Sequence, residues 1–104
     1  MSKQIQDAYI VAATRTPIGR SHKGYFRNTR PDDLLATVLR SALAQAPGLD
    51  PKAIEDVICG CAIPEAQQGL NVARIGAILA GLPNTVRRIT VNRFCASCLS
   101  AVQM

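Results

Sequence analysis

The sequence predicts an α/β fold, in which helices cover a mostly parallel sheet. Short apolar runs alternate with longer segments whose apolar residues repeat at a helical spacing, which gives the order β-α-β-α-β-α. Aromatic residues make up 4% of the 104 residues, so a core must be built mainly from Ala, Val, Ile and Leu. A chain of this length suits one modest domain.

The first predicted strand is the uninterrupted apolar run Ala8–Ala13, which is typical of a strand buried on both faces. The first predicted helix begins near Pro31, where Asp32 and Asp33 place negative charge at the positive end of the helix dipole. Pro47-Gly48 ends this helix. Its apolar residues share a helical period: Leu34, Leu35, Val38, Leu39, Ala42, Leu43 and Ala46.

The middle of the chain predicts a capped turn, a strand and a second helix. The turn is at Asp50-Pro51 and the strand spans Asp56–Cys61. Asn71 is a candidate N-cap for the helix, which Gly81 and Pro83 would end. Its apolar residues share one predicted face: Val72, Ile75, Leu79 and Leu82.

The end of the chain predicts a third strand and a third helix. In "TVRRITVNRFC" the side chains alternate, with Ile89 and Val91 on one face and Arg88, Thr90 and Asn92 on the other. No charged residue follows Cys95, so we expect the last helix to be surrounded on all sides. Residues 1–104 are therefore expected to be a partial domain that ends within this helix.

The basic segment, residues 15–30, carries five Arg and Lys residues and no acid within a chain of net charge +5. Such a segment could contact phosphates of a nucleotide cofactor or of nucleic acid, or it could be a solvated loop. Tyr25 and Phe26 are too few for a base-stacking platform, so a solvated loop is favoured and no nucleic-acid partner is expected.

The apolar runs are too short for a membrane span, which needs about 20 residues, and no signal peptide is visible. These features predict a cytoplasmic protein. In that compartment Cys59, Cys61, Cys95 and Cys98 should stay reduced, unless they bind metal or act in redox chemistry.

Cys95 stands where the third strand turns into the third helix. Helix amides at such a turn favour a thiolate over a thiol, and the geometry parallels the elbow that exposes a nucleophilic serine in hydrolases. Small neighbours, Ala96 and Ser97, would leave space for a carbonyl group, whose oxyanion the turn amides could stabilise. The alternative is an inert packing cysteine.

The segment "VNRFCASCLSAVQ" resembles the nucleophile segment of thiolases. The segments "IVAATRTPIGR", "DLLATVLRSAL" and "EDVICGCAIPEAQQGLNVARIGAILAGLP" resemble the start of degradative 3-ketoacyl-CoA thiolases in the same order. This resemblance implies the layered αβαβα thiolase fold and an acyl-thioester on Cys95. It also implies thiolytic cleavage of 3-ketoacyl-CoA in fatty acid β-oxidation, with coenzyme A as co-substrate, no prosthetic group and assembly as a homodimer or homotetramer.

Two departures limit the resemblance. Cys98 occupies a position where the family normally has Gly, and its side chain could either clash or be tolerated as a small hydrophobe. No Gly-His-Pro or Cys-x-Gly segment follows Cys95, and the single histidine, His22, is expected at the surface. We therefore expect the 104 residues alone to be inactive, and a non-catalytic remnant or subunit fragment is the alternative. The residues that bind coenzyme A cannot be assigned.

Two further alternatives use the cysteines differently. Cys59-x-Cys61 with Cys95-x-x-Cys98 could form a four-thiolate zinc site, but the first pair is tightly spaced and lies in an apolar strand, so no metal site is expected. "CASC" could be a redox motif, but the Trp-Gly or Pro-rich surroundings of thioredoxin-like sites are absent.

Overall fold

A computed structural model describes residues 4–104 and confirms the α/β class. The helices are α1 (Pro31–Ala44), α2 (Val72–Leu79) and α3 (Ser97–Gln103), and the strands are β1 (Asp56–Gly60) and β2 (Arg87–Val91). Short 3₁₀ turns at Pro51–Ala53 and Ala66–Gln68 complete the regular structure. Within residues 4–104 the sheet has two parallel strands, with Ile58 paired to Ile89.

The helix ends follow the local signals in the sequence. Pro31 occupies the first turn of α1, and Asn71 accepts a hydrogen bond from the backbone N–H of Arg74 as the N-cap of α2. After α2, Gly81 has a φ of +84° and the N–H of Leu82 donates to the carbonyl of Ala77. This bonding pattern is a Schellman motif, which satisfies carbonyl groups at a helix end.

The core lies between β1 and the helix pair α1 and α2. Its buried residues are Val57, Ala73, Ala77, Leu82 and Val86, against which Leu39, Leu43, Ile54 and Cys59 pack. Since side chains alternate across a strand, Gly60 faces the opposite side of β1 from Val57, and it faces the start of α3. The strand pair therefore lies between α2 on one face and α3 on the other.

One predicted strand is absent. Ala8–Ala13 forms no strand, and the side chains of Tyr9, Ile10 and Val11 are 80%, 86% and 77% exposed. The segment is held by Gln45, which exchanges two hydrogen bonds of 3.0 Å with the backbone of Ala13. A strand needs a backbone partner at an edge of a sheet, and the segment has none here.

The buried face of α2 differs from the predicted one. Val72 and Leu82 are buried as expected, but Ile75 and Leu79 are 43% and 44% exposed. The buried positions of the helix are instead the small ones, Ala73, Gly76 and Ala77. A Cβ atom on Gly76 would lie 2.5 Å from Leu35 of α1, so the two helices approach too closely for large side chains between them.

Within residues 4–104 only part of α3 is covered, and its enclosure on all sides stays a prediction for the complete domain. Leu99 and Val102 are 63% and 76% exposed, while Ser97 and Ser100 are 2% and 7% exposed. The helix therefore packs on β1 through its serines, because small side chains allow the close approach that Gly60 permits.

Candidate functional site

Cys95 lies on the turn between β2 and α3, four residues after the end of β2 and two before the start of α3. The residue is exposed. In open α/β sheets, ligands bind at the carboxyl ends of parallel strands, and Cys95 follows the carboxyl end of β2. The structure thus gives the predicted nucleophile the strand–turn–helix placement and the access that a nucleophile needs.

The turn is held by local hydrogen bonds, mainly from Ser97. The Ser97 hydroxyl donates to the carbonyl of Phe94 at 2.6 Å and accepts from the N–H of Arg93 at 2.8 Å. The Asn92 carboxamide oxygen accepts from the N–H of Phe94 at 2.9 Å. Ser97 is therefore buried beneath the turn as a structural residue, and the space beside Cys95 that its small side chain is expected to leave stays a prediction. The tendency of serine to bond nearby backbone was the missed signal.

The backbone before Cys95 is in an unusual conformation. Phe94 has a φ of +47°, in the left-handed region that non-glycine residues rarely adopt, and the residue is 75% exposed. Such a conformation costs about 1–3 kcal/mol and persists only where surrounding hydrogen bonds and packing hold the backbone in place. The hydrogen bonds of the turn provide that support, and they fix the direction in which the chain presents Cys95.

The amides next to Cys95 are engaged within the turn. The N–H of Ala96 donates to the carbonyl of Arg93, and the N–H of Ser97 donates to that of Phe94, both at 3.1 Å. These two donors therefore do not provide the oxyanion site that the sequence suggested.

Cys98 is accommodated without a clash. Its side chain is exposed, and its sulfur lies 4.0 Å from the carbonyl oxygen of Gly60. The close approach of backbones instead occurs at Gly60, where a Cβ atom would lie 2.6 Å from the Cys98 nitrogen and the Ser97 carbonyl carbon. Within residues 4–104 the close backbone approach therefore lies at Gly60 and not at Cys98.

Cys59 and Cys61 are half-buried. Burial, and to a smaller degree the neighbouring Cys61 and Cys98 thiols, raise the pKa of the Cys59 thiol above its ordinary value. Within residues 4–104, no three His, Cys, Asp or Glu side chains lie close enough together to hold a metal ion. His22 is exposed in the basic segment, as predicted.

In the basic segment, the charged side chains of four residues are exposed: Arg15, Arg20, Lys23 and Arg27. Arg30 instead forms a bidentate pair with Asp32, whose carboxylate also accepts from the N–H of Asp33. The hydrogen bond from Arg30 lowers the pKa of Asp32.

Among the described residues, no helix is long and apolar enough to cross a membrane.

Comparison with known proteins gives consistent matches. A family model described as "Thiolase, N-terminal domain" matches residues 8–104. A 3-ketoacyl-CoA thiolase of Saccharophagus degradans is 49% identical over 102 residues, which are 98% of this chain and 26% of the relative. Those of Aeromonas hydrophila and Shewanella sp. strain MR-7 are each 47% identical over 98 residues, 94% of this chain and 25% of the relative. The chain thus spans about a quarter of the length of these relatives.

Proposed function

Because this chain belongs to the thiolase family, with its matched residues in the N-terminal domain, we propose that Cys95 is the residue that carries an acyl group in a 3-ketoacyl-CoA thiolase reaction. The observation that carries this proposal is the placement of an exposed cysteine on the strained turn between β2 and α3. The relatives that match the chain are named 3-ketoacyl-CoA thiolases.

In the proposed reaction, the Cys95 thiolate attacks the 3-keto carbonyl of the substrate, and the C2–C3 bond breaks. The two-carbon fragment leaves as acetyl-CoA after it takes up a proton, and the remaining acyl group stays on the sulfur as a thioester. Coenzyme A then takes the acyl group and regenerates the thiol. Covalent catalysis of this kind divides one difficult cleavage between two easier steps.

The 104 residues do not supply a complete set of groups for this chemistry. Their one histidine, His22, is exposed in the basic segment, and the thiols of Cys59 and Cys61 lie in or beside β1. We therefore expect the purified chain alone to show no thiolysis, and turnover by it would contradict the proposal. We also propose that the protein containing these residues acts in fatty acid β-oxidation, in the cytoplasm and as a homo-oligomer.

A segment exchange tests the role of Cys95. Residues 8–104 replace the matching residues of the Saccharophagus degradans relative, and thiolysis of a 3-ketoacyl-CoA is measured together with the intact mass of the protein after acyl transfer. We expect the exchanged protein to be active and to carry the acyl group on the peptide that contains Cys95.

Two variants of the exchanged protein complete the test. Cys95→Ala should reduce thiolysis to background and abolish the acyl mass, while Cys61→Ser, which removes a half-buried thiol outside the turn, should retain activity. Full activity of the Cys95→Ala variant would contradict the proposal.

A further inference from the structure

Cys95 and Cys98 are two exposed thiols separated by two residues on the same turn. The intervening backbone is close to helical, since Ala96 has φ and ψ of −94° and 9° and Ser97 is the first residue of α3. The N–H of Ser100 donates to the carbonyl of Ala96 at 3.0 Å, so helical bonding already begins at Ala96.

This backbone brings the two cysteines within reach of each other. Near-helical backbone rises about 1.5 Å per residue on a radius of about 2.3 Å, which places Cα atoms three residues apart about 5 Å from each other. Protein disulfides span Cα separations of about 4.4–6.8 Å. The Cys98 sulfur makes a weak hydrogen bond, 4.0 Å to the Gly60 carbonyl oxygen, which rotation of the side chain toward Cys95 would give up at small cost.

We propose that Cys95 and Cys98 form a reversible disulfide, with a small-molecule disulfide such as oxidised glutathione as the oxidant. The Cys95 thiolate attacks one glutathione sulfur, which breaks the glutathione disulfide and releases one glutathione thiolate. The Cys98 thiolate then attacks the Cys95 sulfur and releases the second glutathione. The two protein thiols lose two electrons and two protons, and both glutathiones leave as thiols.

The disulfide has a consequence that rests on the proposed function. A Cys95 sulfur bonded to Cys98 has no thiolate to accept an acyl group, so the oxidised turn would be inactive until a reductant restores the thiol. Formation of the disulfide itself depends only on the geometry of the turn, so it can be measured without a thiolysis assay.

Cys59 is the competing partner for Cys98. Its sulfur lies 3.7 Å from the Gly60 carbonyl oxygen, near the 4.0 Å contact of Cys98 with the same atom. However, Cys59 packs against the core on the face of β1 that α2 covers, whereas Cys98 lies on the α3 side. An oxidant in solution reaches the exposed Cys95 and Cys98 before the half-buried Cys59, and the linkage between tryptic peptides separates the two pairings.

The test incubates the full chain in glutathione buffers of increasing oxidised fraction, blocks free thiols by alkylation, and identifies tryptic peptides by mass. Trypsin cleaves after Arg93, so residues 94–104 carry both Cys95 and Cys98, whereas Cys59 and Cys61 fall in residues 53–74. We expect peptide 94–104 to lose two hydrogen atoms and to escape alkylation, and a reductant to reverse both changes.

Two variants make the result specific. Cys98→Ser should abolish the loss of two hydrogens in peptide 94–104, while Cys61→Ser, which also removes one of the four thiols, should leave it unchanged. Full alkylation of peptide 94–104 in oxidising buffer would overturn the proposal, as would its linkage to peptide 53–74. Circular dichroism of each variant confirms that the fold is retained.

Discussion

Replacing Gly60 by alanine tests whether the close approach of β1 and α3 holds the turn that carries Cys95. The added Cβ atom would lie 2.6 Å from the Cys98 nitrogen and from the Ser97 carbonyl carbon, both of which are backbone atoms. To restore an ordinary contact of 3.4 Å, α3 must move by about 0.8 Å relative to β1. A backbone has no rotamer that relieves such a clash.

Overpacking of this kind costs about 1–3 kcal/mol, and the rigid neighbours place Gly60→Ala near the upper end, at about 3 kcal/mol. Urea unfolding followed by circular dichroism measures the free energy of unfolding. In the exchanged protein, a displacement of this size next to Cys95 should also lower thiolysis by about 10²-fold.

Two other glycines are matched controls. No atom lies within 4 Å of the Cβ position of Gly48, so Gly48→Ala should be neutral or stabilising by about 1 kcal/mol. Gly76→Ala meets the Leu35 side chain at 2.5 Å from Cδ2 and 2.7 Å from Cγ, and a side chain can shift more easily than backbone, so its cost should be intermediate, about 1–2 kcal/mol. Equal stability of the Gly60→Ala and Gly48→Ala variants would refute the assigned packing of α3 on β1.

Three further predictions concern side-chain hydrogen bonds. Ser97→Ala removes both hydroxyl bonds of the turn and should lower the free energy of unfolding by about 1–3 kcal/mol in urea; no loss would show that the turn does not depend on them. Thr90→Val leaves the N–H of Ala73 without its acceptor and should cost about 1–2 kcal/mol in a thermal melt, whereas an unchanged Tm would contradict that bond. The hydrogen bond from Arg30 lowers the pKa of Asp32, so the stabilisation is present at neutral pH and is lost as the pH falls below about 4. The stability difference between the chain and its Asp32→Asn variant should therefore disappear on acidification, and a pH-independent difference would contradict this origin.

Much of the fold could be predicted because its signals are local. Pro31 and Asn71 mark helix starts, and Gly81 marks a helix end, through dihedral preferences and hydrogen bonds that span a few residues. The predicted strand Asp56–Cys61 is observed over Asp56–Gly60, and the N–H of Cys61 still donates to the Val91 carbonyl. The position of Cys95 between a strand and a helix follows from the same local pattern.

The errors concern pairing and burial, which depend on distant parts of the chain. An apolar run such as Ala8–Ala13 suits a buried strand, but pairing requires an edge at the right place. The buried face of α2 could not be chosen from periodicity, since Ile75 and Leu79 are more apolar than Ala73 and Ala77, and only the close approach of α1 selects the small residues. Ser97 looked like a spacer because its two bonds exist only when the turn closes.

The sequence by itself determined the α/β class, the helix starts and the end of α2, because these rest on residue type and short-range spacing, while its resemblance to thiolases singled out Cys95 as the candidate nucleophile. Only the tertiary structure decided that Gly60 brings β1 against α3, that serines line their contact, and that Cys98 is exposed as Cys95 is. These features depend on distances between backbone segments that lie far apart along the chain, and a pattern of residues in the sequence does not contain those distances.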